Sequence, residues 1–182
     1  MKRLFFGLKP DRKTRQQCTD ILQAANRRQN RPVPAANLHV TLVFLGLLTK
    51  ETETVLVKEA AAAAIPKINI VFDQLSYWQK PGILCLTASH TEPELLSLVD
   101  QLTTIAKKLS IKVDERPYLP HVTLARKAKA PIELSFEPII WQADSFCLFE
   151  SCSSDNGVEY RVLNSWRTAN ADVDFYPVFA GK

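Results

Sequence analysis

The chain has 182 residues, of which 46% are apolar and 23% charged, with 23 basic against 19 acidic side chains, a net charge of +4 and a pI near 8.9. That composition excludes disorder and collagen-like structure and allows one sizeable core. The mild basic excess permits a polyanionic partner without requiring one.

In chain order, "RLFFGL" (3–8) predicts a strand, ended by Pro10, which presets φ for a helix start. Cys18, Ile21, Leu22 and Ala25 then repeat at helical spacing. A polar turn region, "NRRQNRPVP", follows. "NLHVTLVFLG" (37–46) reads as a strand stopped by Gly46. Thr49 offers an N-cap, with Glu51 and Glu53 favourable in the first turn, for a helix running through the alanines at 60–64 to Pro66.

"KINIVFDQLSYW" and "GILCLTA" predict two strands around a Pro81-Gly82 turn. Thr91 and Glu94 form a T-x-x-E capping box before a helix through Leu95, Val99, Leu102, Ala106 and Leu109. "RPYLPHVTLAR" (116–126) reads as a strand, and Asp155-Asn156-Gly157 as the tight turn of a hairpin between "SFCLFESCSS" and "VEYRVLNSW". This order predicts an α+β fold. It would be bilobal, two lobes of largely antiparallel sheet with helices, related by an approximate two-fold around a groove. No linker divides the chain, so residues 1–182 are expected to form one domain, with the 168–182 tail unassigned.

Four cysteines, Cys18, Cys85, Cys147 and Cys152, show neither a C-x-x-C pair nor a histidine at zinc-ligand spacing, so no metal or cofactor is expected. The five-residue run LFFGL is too short for a signal peptide core, and no apolar run reaches membrane-span length. A cytoplasmic protein without membrane contact and with reduced thiols is expected, acting as a monomer.

The chemistry lies in a repeat. His39-Val40-Thr41-Leu42 returns as His121-Val122-Thr123-Leu124 and uses two of the chain's three histidines. Along a strand, His39 and Thr41 share one face while Val40 and Leu42 share the other, and the second copy has the same parity. Opening a phosphodiester in line needs a base for the attacking oxygen and an acid for the leaving oxygen, and histidine serves as either near neutral pH. Threonine hydroxyls can donate to the non-bridging oxygens.

These residues resemble the two-histidine phosphoesterases, whose signature is a duplicated H-x-[T/S]-x motif, and within them the bacterial RNA 2′,3′-cyclic phosphodiesterases, also called 2′-5′ RNA ligase-like proteins. The likeness runs through "RLFFGLKP", "NLHVTLVFLG", "RPYLPHVTLAR" and the C-terminal "FCLFESCSS" and "YRVLNSW", over roughly residues 3–167. Tyr118 stands where relatives often have Phe, and Val122 where some have Ile. The resemblance implies metal-independent opening of a cyclic phosphate at an RNA 3′ end to a 2′-phosphate, with reversible 2′-5′ ligation. It makes His39 the general acid and His121 the general base, with Thr41 and Thr123 on the phosphate oxygens.

Arg126 suits phosphate, but simple alternation points it away from His121 unless the strand ends or bulges. Tyr118 reads either as a base-stacking ring or as core. His90 sits in no motif and reads as structural, and the three tryptophans read mainly as core or hairpin residues. The basic stretches "NRRQNR" and "RKAK" read as solvated surface. Two other functions remain open: an esterase for a small nucleotide, such as ADP-ribose cyclic phosphate or 2′,5′-oligoadenylate, and a non-catalytic RNA-binding protein.

Overall fold

The computed structural model describes residues 1–25, 30–154 and 157–167. Residues 155–156 of the expected tight turn, residues 26–29 of the first basic stretch and the 168–182 tail lie outside the described residues. The fold is α+β and its sheets are antiparallel throughout the described pairings.

β1 (Lys2–Leu8) leads into α1 (Arg12–Ala24), whose N-cap Asp11 accepts from the Thr14 backbone N–H at 2.6 Å. A two-residue strand, β2 (Arg31–Pro32), and a 3-10 turn (Ala35–Asn37) precede β3 (Val40–Leu48). Gly46 does not stop β3. It takes φ 75° at an irregularity in the pairing with β1, and the strand continues to Leu48.

α2 (Lys50–Ala60) is capped by Thr49 as expected. It ends before the remaining alanines, because Ala62 and Ala63 bond back three residues in tighter turns and the Gln101 side chain takes the Ala64 N–H. The stretch from 67 to 78 forms two strands rather than one. β4 (Ile68–Phe72) pairs with β8 (Ile139–Ala143) in a separate two-stranded sheet, while β5 (Gln74–Trp78) joins the main sheet. The chain changes sheet at Asp73, whose carboxylate accepts from Ser89 N and Oγ.

β6 (Ile83–Thr87) follows the expected turn, where Gly82 adopts φ 59°. α3 (Pro93–Lys108) begins one residue later than a Thr91 cap would place it. Pro93 occupies its first turn, where a missing N–H is tolerated, and Glu92 is the N-cap without a side-chain bond. β7 (His121–Arg126) is shorter than the 116–126 stretch, whose first residues are irregular. β9 (Ser145–Ser154) and β10 (Gly157–Arg167) form the terminal hairpin.

The main sheet runs β10-β9-β1-β3-β7-β6-β5, with β2 added beside β7. β1 is buried on both faces. Leu4, Phe6 and Leu8 enter the main core with Cys18 and Leu22 of α1 and Leu95, Leu98 and Leu102 of α3, while Phe5 joins Phe149 and Cys147 in a second cluster. The two halves expected from the repeat meet at β3 and β7, which pair at Val40 and Val122. Among the described residues, no helix is long and apolar enough to cross a membrane.

Candidate active site

Val40 and Val122 are equivalent positions of the two motif copies, and they are direct partners across antiparallel strands. A local two-fold between them therefore exchanges His39 with His121 and Thr41 with Thr123. Both valines are fully buried in the main core. Directly opposed residues of an antiparallel pair point to the same side, so all four polar side chains emerge together on the other face. They line one cleft of about 470 Å³. Gly7 lets β1 approach this point, since a Cβ there would lie 2.7 Å from the Val40 carbonyl oxygen.

Each imidazole is held the same way. His39 Nδ1 lies 2.7 Å from the Asn37 carbonyl oxygen, and His121 Nδ1 lies 3.0 Å from that of Leu119. A carbonyl only accepts, so each Nδ1 carries the proton and each Nε2 is left for chemistry. His39 Nε2 is 3.1 Å from Thr41 Oγ1, which can donate to it while the ring is neutral.

The aromatic surroundings differ between the halves. His39 contacts Phe5 and Tyr160, with ring centroids 4.9 and 4.7 Å away, whereas His121 lies against Trp78 at 4.6 Å. Burial pushes the His39 imidazole down to about 4, opposed by its Asn37 bond and reinforced by the nearby His121 and Arg126 charges. Burial also lowers His121, again reinforced by Arg126.

Arg126 reaches the cleft because β7 bulges. Cys85 pairs with Thr123 and Leu84 with Ala125, so Leu124 is passed over and the alternation resets. Leu124 and Ala125 are both buried, and Arg126 lines the cleft with the motif residues. Tyr118 packs against the core and its hydroxyl donates to the Thr41 carbonyl oxygen at 3.0 Å, tying the loop before β7 to β3. That bond engages its polar end inside the protein.

Arg3, Phe5, Trp78 and Tyr160 belong to the surroundings of the histidines and were not singled out by sequence reasoning. Trp78 lies over His121 rather than in the core, whereas Trp141 is fully buried. For Phe5 a signal existed: the stretch Leu4–Leu8, with no polar side chain to alternate, must be covered on both faces. His90 stays outside the cleft. Among the described residues, no three His, Cys, Asp or Glu side chains are grouped to hold a metal ion.

The sequence pattern of the 2′-5′ RNA ligase superfamily matches residues 10–151, which contain both motif copies. The chain belongs to that superfamily. Among curated superfamily relatives, the Escherichia coli RNA 2′,3′-cyclic phosphodiesterase is 28% identical over 138 residues, covering 75% of this chain and 78% of the relative. The Bacillus subtilis protein of the same name is 31% identical over 127 residues, covering 62% and 67%. A crystal structure of E. coli LigT complexed with 3′-AMP superposes with a TM-score of 0.83 at 26% identity, covering 92% of this chain and 98% of that one.

Proposed function

We propose that this superfamily member hydrolyses RNA 2′,3′-cyclic phosphate ends to 2′-phosphomonoesters by histidine acid–base catalysis. The observation that carries the reading is the pair of Nε2 atoms, each freed by an Nδ1–H bond to a backbone carbonyl, that share one cleft with two threonines about a local two-fold. Two relatives named RNA 2′,3′-cyclic phosphodiesterase support the choice of substrate.

In this mechanism His121 Nε2 accepts a proton from water as the water oxygen bonds to phosphorus. The bond from phosphorus to O3′ breaks, and His39 Nε2 delivers a proton to that oxygen, leaving the phosphate on O2′. Thr41 and Thr123 donate to the non-bridging oxygens, and Arg126 offsets their charge. Tyr118 acts through the Thr41 backbone, holding the first motif in place. With a 5′-hydroxyl in place of water as the nucleophile, His121 would take its proton as it bonds to phosphorus and His39 would protonate the departing O3′, giving a 2′-5′ bond. All these groups come from one chain, so a monomer suffices.

The test is an RNA oligomer with a labelled 2′,3′-cyclic phosphate, followed by mapping of the oxygen that keeps the phosphate. A 2′-phosphate product, lost with His39→Ala or His121→Ala, is the expected outcome. A 3′-phosphate product would overturn the mechanism. Turnover confined to ADP-ribose cyclic phosphate or 2′,5′-oligoadenylate would move the function to small nucleotides, and binding without turnover would leave an RNA-binding protein.

A further inference from the structure

The cavities flanking the histidines differ in charge. One, of about 670 Å³, reaches from Thr41 and His121 toward α3 and carries Asp100, Asp114 and Glu115 against Lys107 and Arg116. Arg116 is already paired with Asp114. Carboxylates outnumber cations there, which disfavours a phosphate.

The other pocket, of about 290 Å³, lies on the far side of His39 and is lined by Lys9 and Arg15 with Asn37, His39, Phe149 and Tyr160. No carboxylate lines it. It shares His39 and Tyr160 with the catalytic cleft, so the two spaces adjoin at the His39 ring. Among the described residues, neither Lys9 nor Arg15 forms an ion pair. The Asp11 carboxylate, their neighbour in sequence, is engaged in capping α1. Arg15 Nη2 makes a long 3.4 Å bond to the Pro10 carbonyl, while its Nε is buried and has no hydrogen-bond partner. Among the described residues the Arg15 side chain makes no bond other than the one to the Pro10 carbonyl, so its charge is left to attract an anion in this pocket.

We infer that Lys9 and Arg15 form a second phosphate subsite, which takes the phosphate on the 5′ side of the nucleotide whose cyclic phosphate occupies the histidine cleft. This inference rests on the proposed function of that cleft. A cyclic phosphate bound there leaves its ribose with one further linkage, at the 5′ oxygen, and the adjoining cationic pocket is where a second negative charge is favoured. The subsite makes the protein selective for nucleotides that carry a 5′ phosphate, as every RNA 3′ end longer than one nucleotide does.

The experiment compares kcat/KM for adenosine 2′,3′-cyclic phosphate, its 5′-phosphorylated form and a diadenylate ending in the cyclic phosphate, using the whole chain and its Lys9→Gln and Arg15→Gln variants. Both 5′-phosphorylated substrates should exceed the bare nucleoside by roughly tenfold, the worth of one hydrogen bond to a charged group. Each variant should lose most of that gain while retaining the wild-type rate on the bare nucleoside, which also reports intact folding. Lys9 is exposed, so its variant keeps the test alive if Arg15→Gln misfolds.

Equal kcat/KM across the three substrates would overturn the inference. So would a gain confined to the diadenylate and insensitive to both substitutions, which would assign the preference to the second nucleoside. If the wild-type protein turned over none of them, the proposed function would fail. Binding of adenosine 2′-phosphate against adenosine 2′,5′-bisphosphate then decides separately. Tighter bisphosphate binding that the variants abolish supports the subsite, and equal binding rejects it.

Discussion

In the proposed mechanism His39 delivers a proton near neutral pH, yet burial holds its imidazole at about 4. At pH 7 that leaves roughly one ring in a thousand protonated. A phosphate in the cleft changes the balance. One negative charge about 4 Å from Nε2, at an effective dielectric near 20, favours the imidazolium by about 4 kcal/mol, or about three pKa units. That offsets the depression and returns His39 to the range of a free imidazole. Ligand binding is therefore expected to load the acid.

The assay is an NMR titration of the histidine ring protons with and without sulfate, which keeps its charge across the pH range used. Only three histidines are present, and His39→Gln and His90→Gln assign their signals. Without sulfate the His39 signal should titrate far below 6.5, and with sulfate its midpoint should rise by two units or more. A free-protein midpoint near 6.5, or one that sulfate leaves in place, would refute the reasoning. A sulfate-induced rise at His121 alone would reverse the acid and base assignments.

His39→Ala and His121→Ala should each lower kcat/KM on cyclic-phosphate RNA by about 10²- to 10⁴-fold. Thr41→Ala and Thr123→Ala should cost less than either, and the double histidine variant should lose less than the product of the singles; steady-state kinetics decide, and near wild-type turnover without His121 would make the motif structural. Activity should survive EDTA, since in the proposed mechanism the histidines fill both proton-transfer roles; loss on chelation that a divalent ion restores would reject that mechanism. Alkylation of the folded protein should spare activity, because Cys18, Cys85 and Cys147 are buried and burial pushes the first two thiols up to about 12; inactivation tracking one modified cysteine would contradict this. Acid should weaken the fold through His39. Its folded pKa lies below 6.5, so the stability it contributes is full above that pH and is lost as the pH falls toward 4, by up to about 3 kcal/mol. Denaturant titrations of wild type and His39→Gln should therefore converge on acidification; parallel curves would refute the buried neutral ring.

Local rules made some of this legible and hid the rest. Strand parity alone placed His39 with Thr41 and His121 with Thr123, because alternation needs no partner strand. It misdirected Arg126, since a bulge depends on how β6 and β7 register with one another, and nothing in "HVTLAR" announces it. The split of residues 67–78 was hidden for a similar reason. Ile68, Ile70 and Phe72 bury one face against β8, a strand whose place depends on a chain segment about seventy residues away. The Thr91 box failed locally, where Pro93 fixed the helix start.

The repeat itself also hides something that only packing decides. Identical tetrapeptides related by a local two-fold would give both histidines the same surroundings, so nothing in the motif would decide which ring carries the shared proton. The symmetry ends at the strands. β1, β9 and β10 bring Phe5, Phe149 and Tyr160 against His39, whereas β5 brings Trp78 against His121. The shared backbone bonds fix the same tautomer and aim on both sides, and the unlike walls give the two rings unlike neighbours. A duplicated motif thus supplies paired geometry, the unduplicated strands around it make the two rings inequivalent, and in the proposed mechanism it is the bound phosphate that turns this inequivalence into a protonated His39.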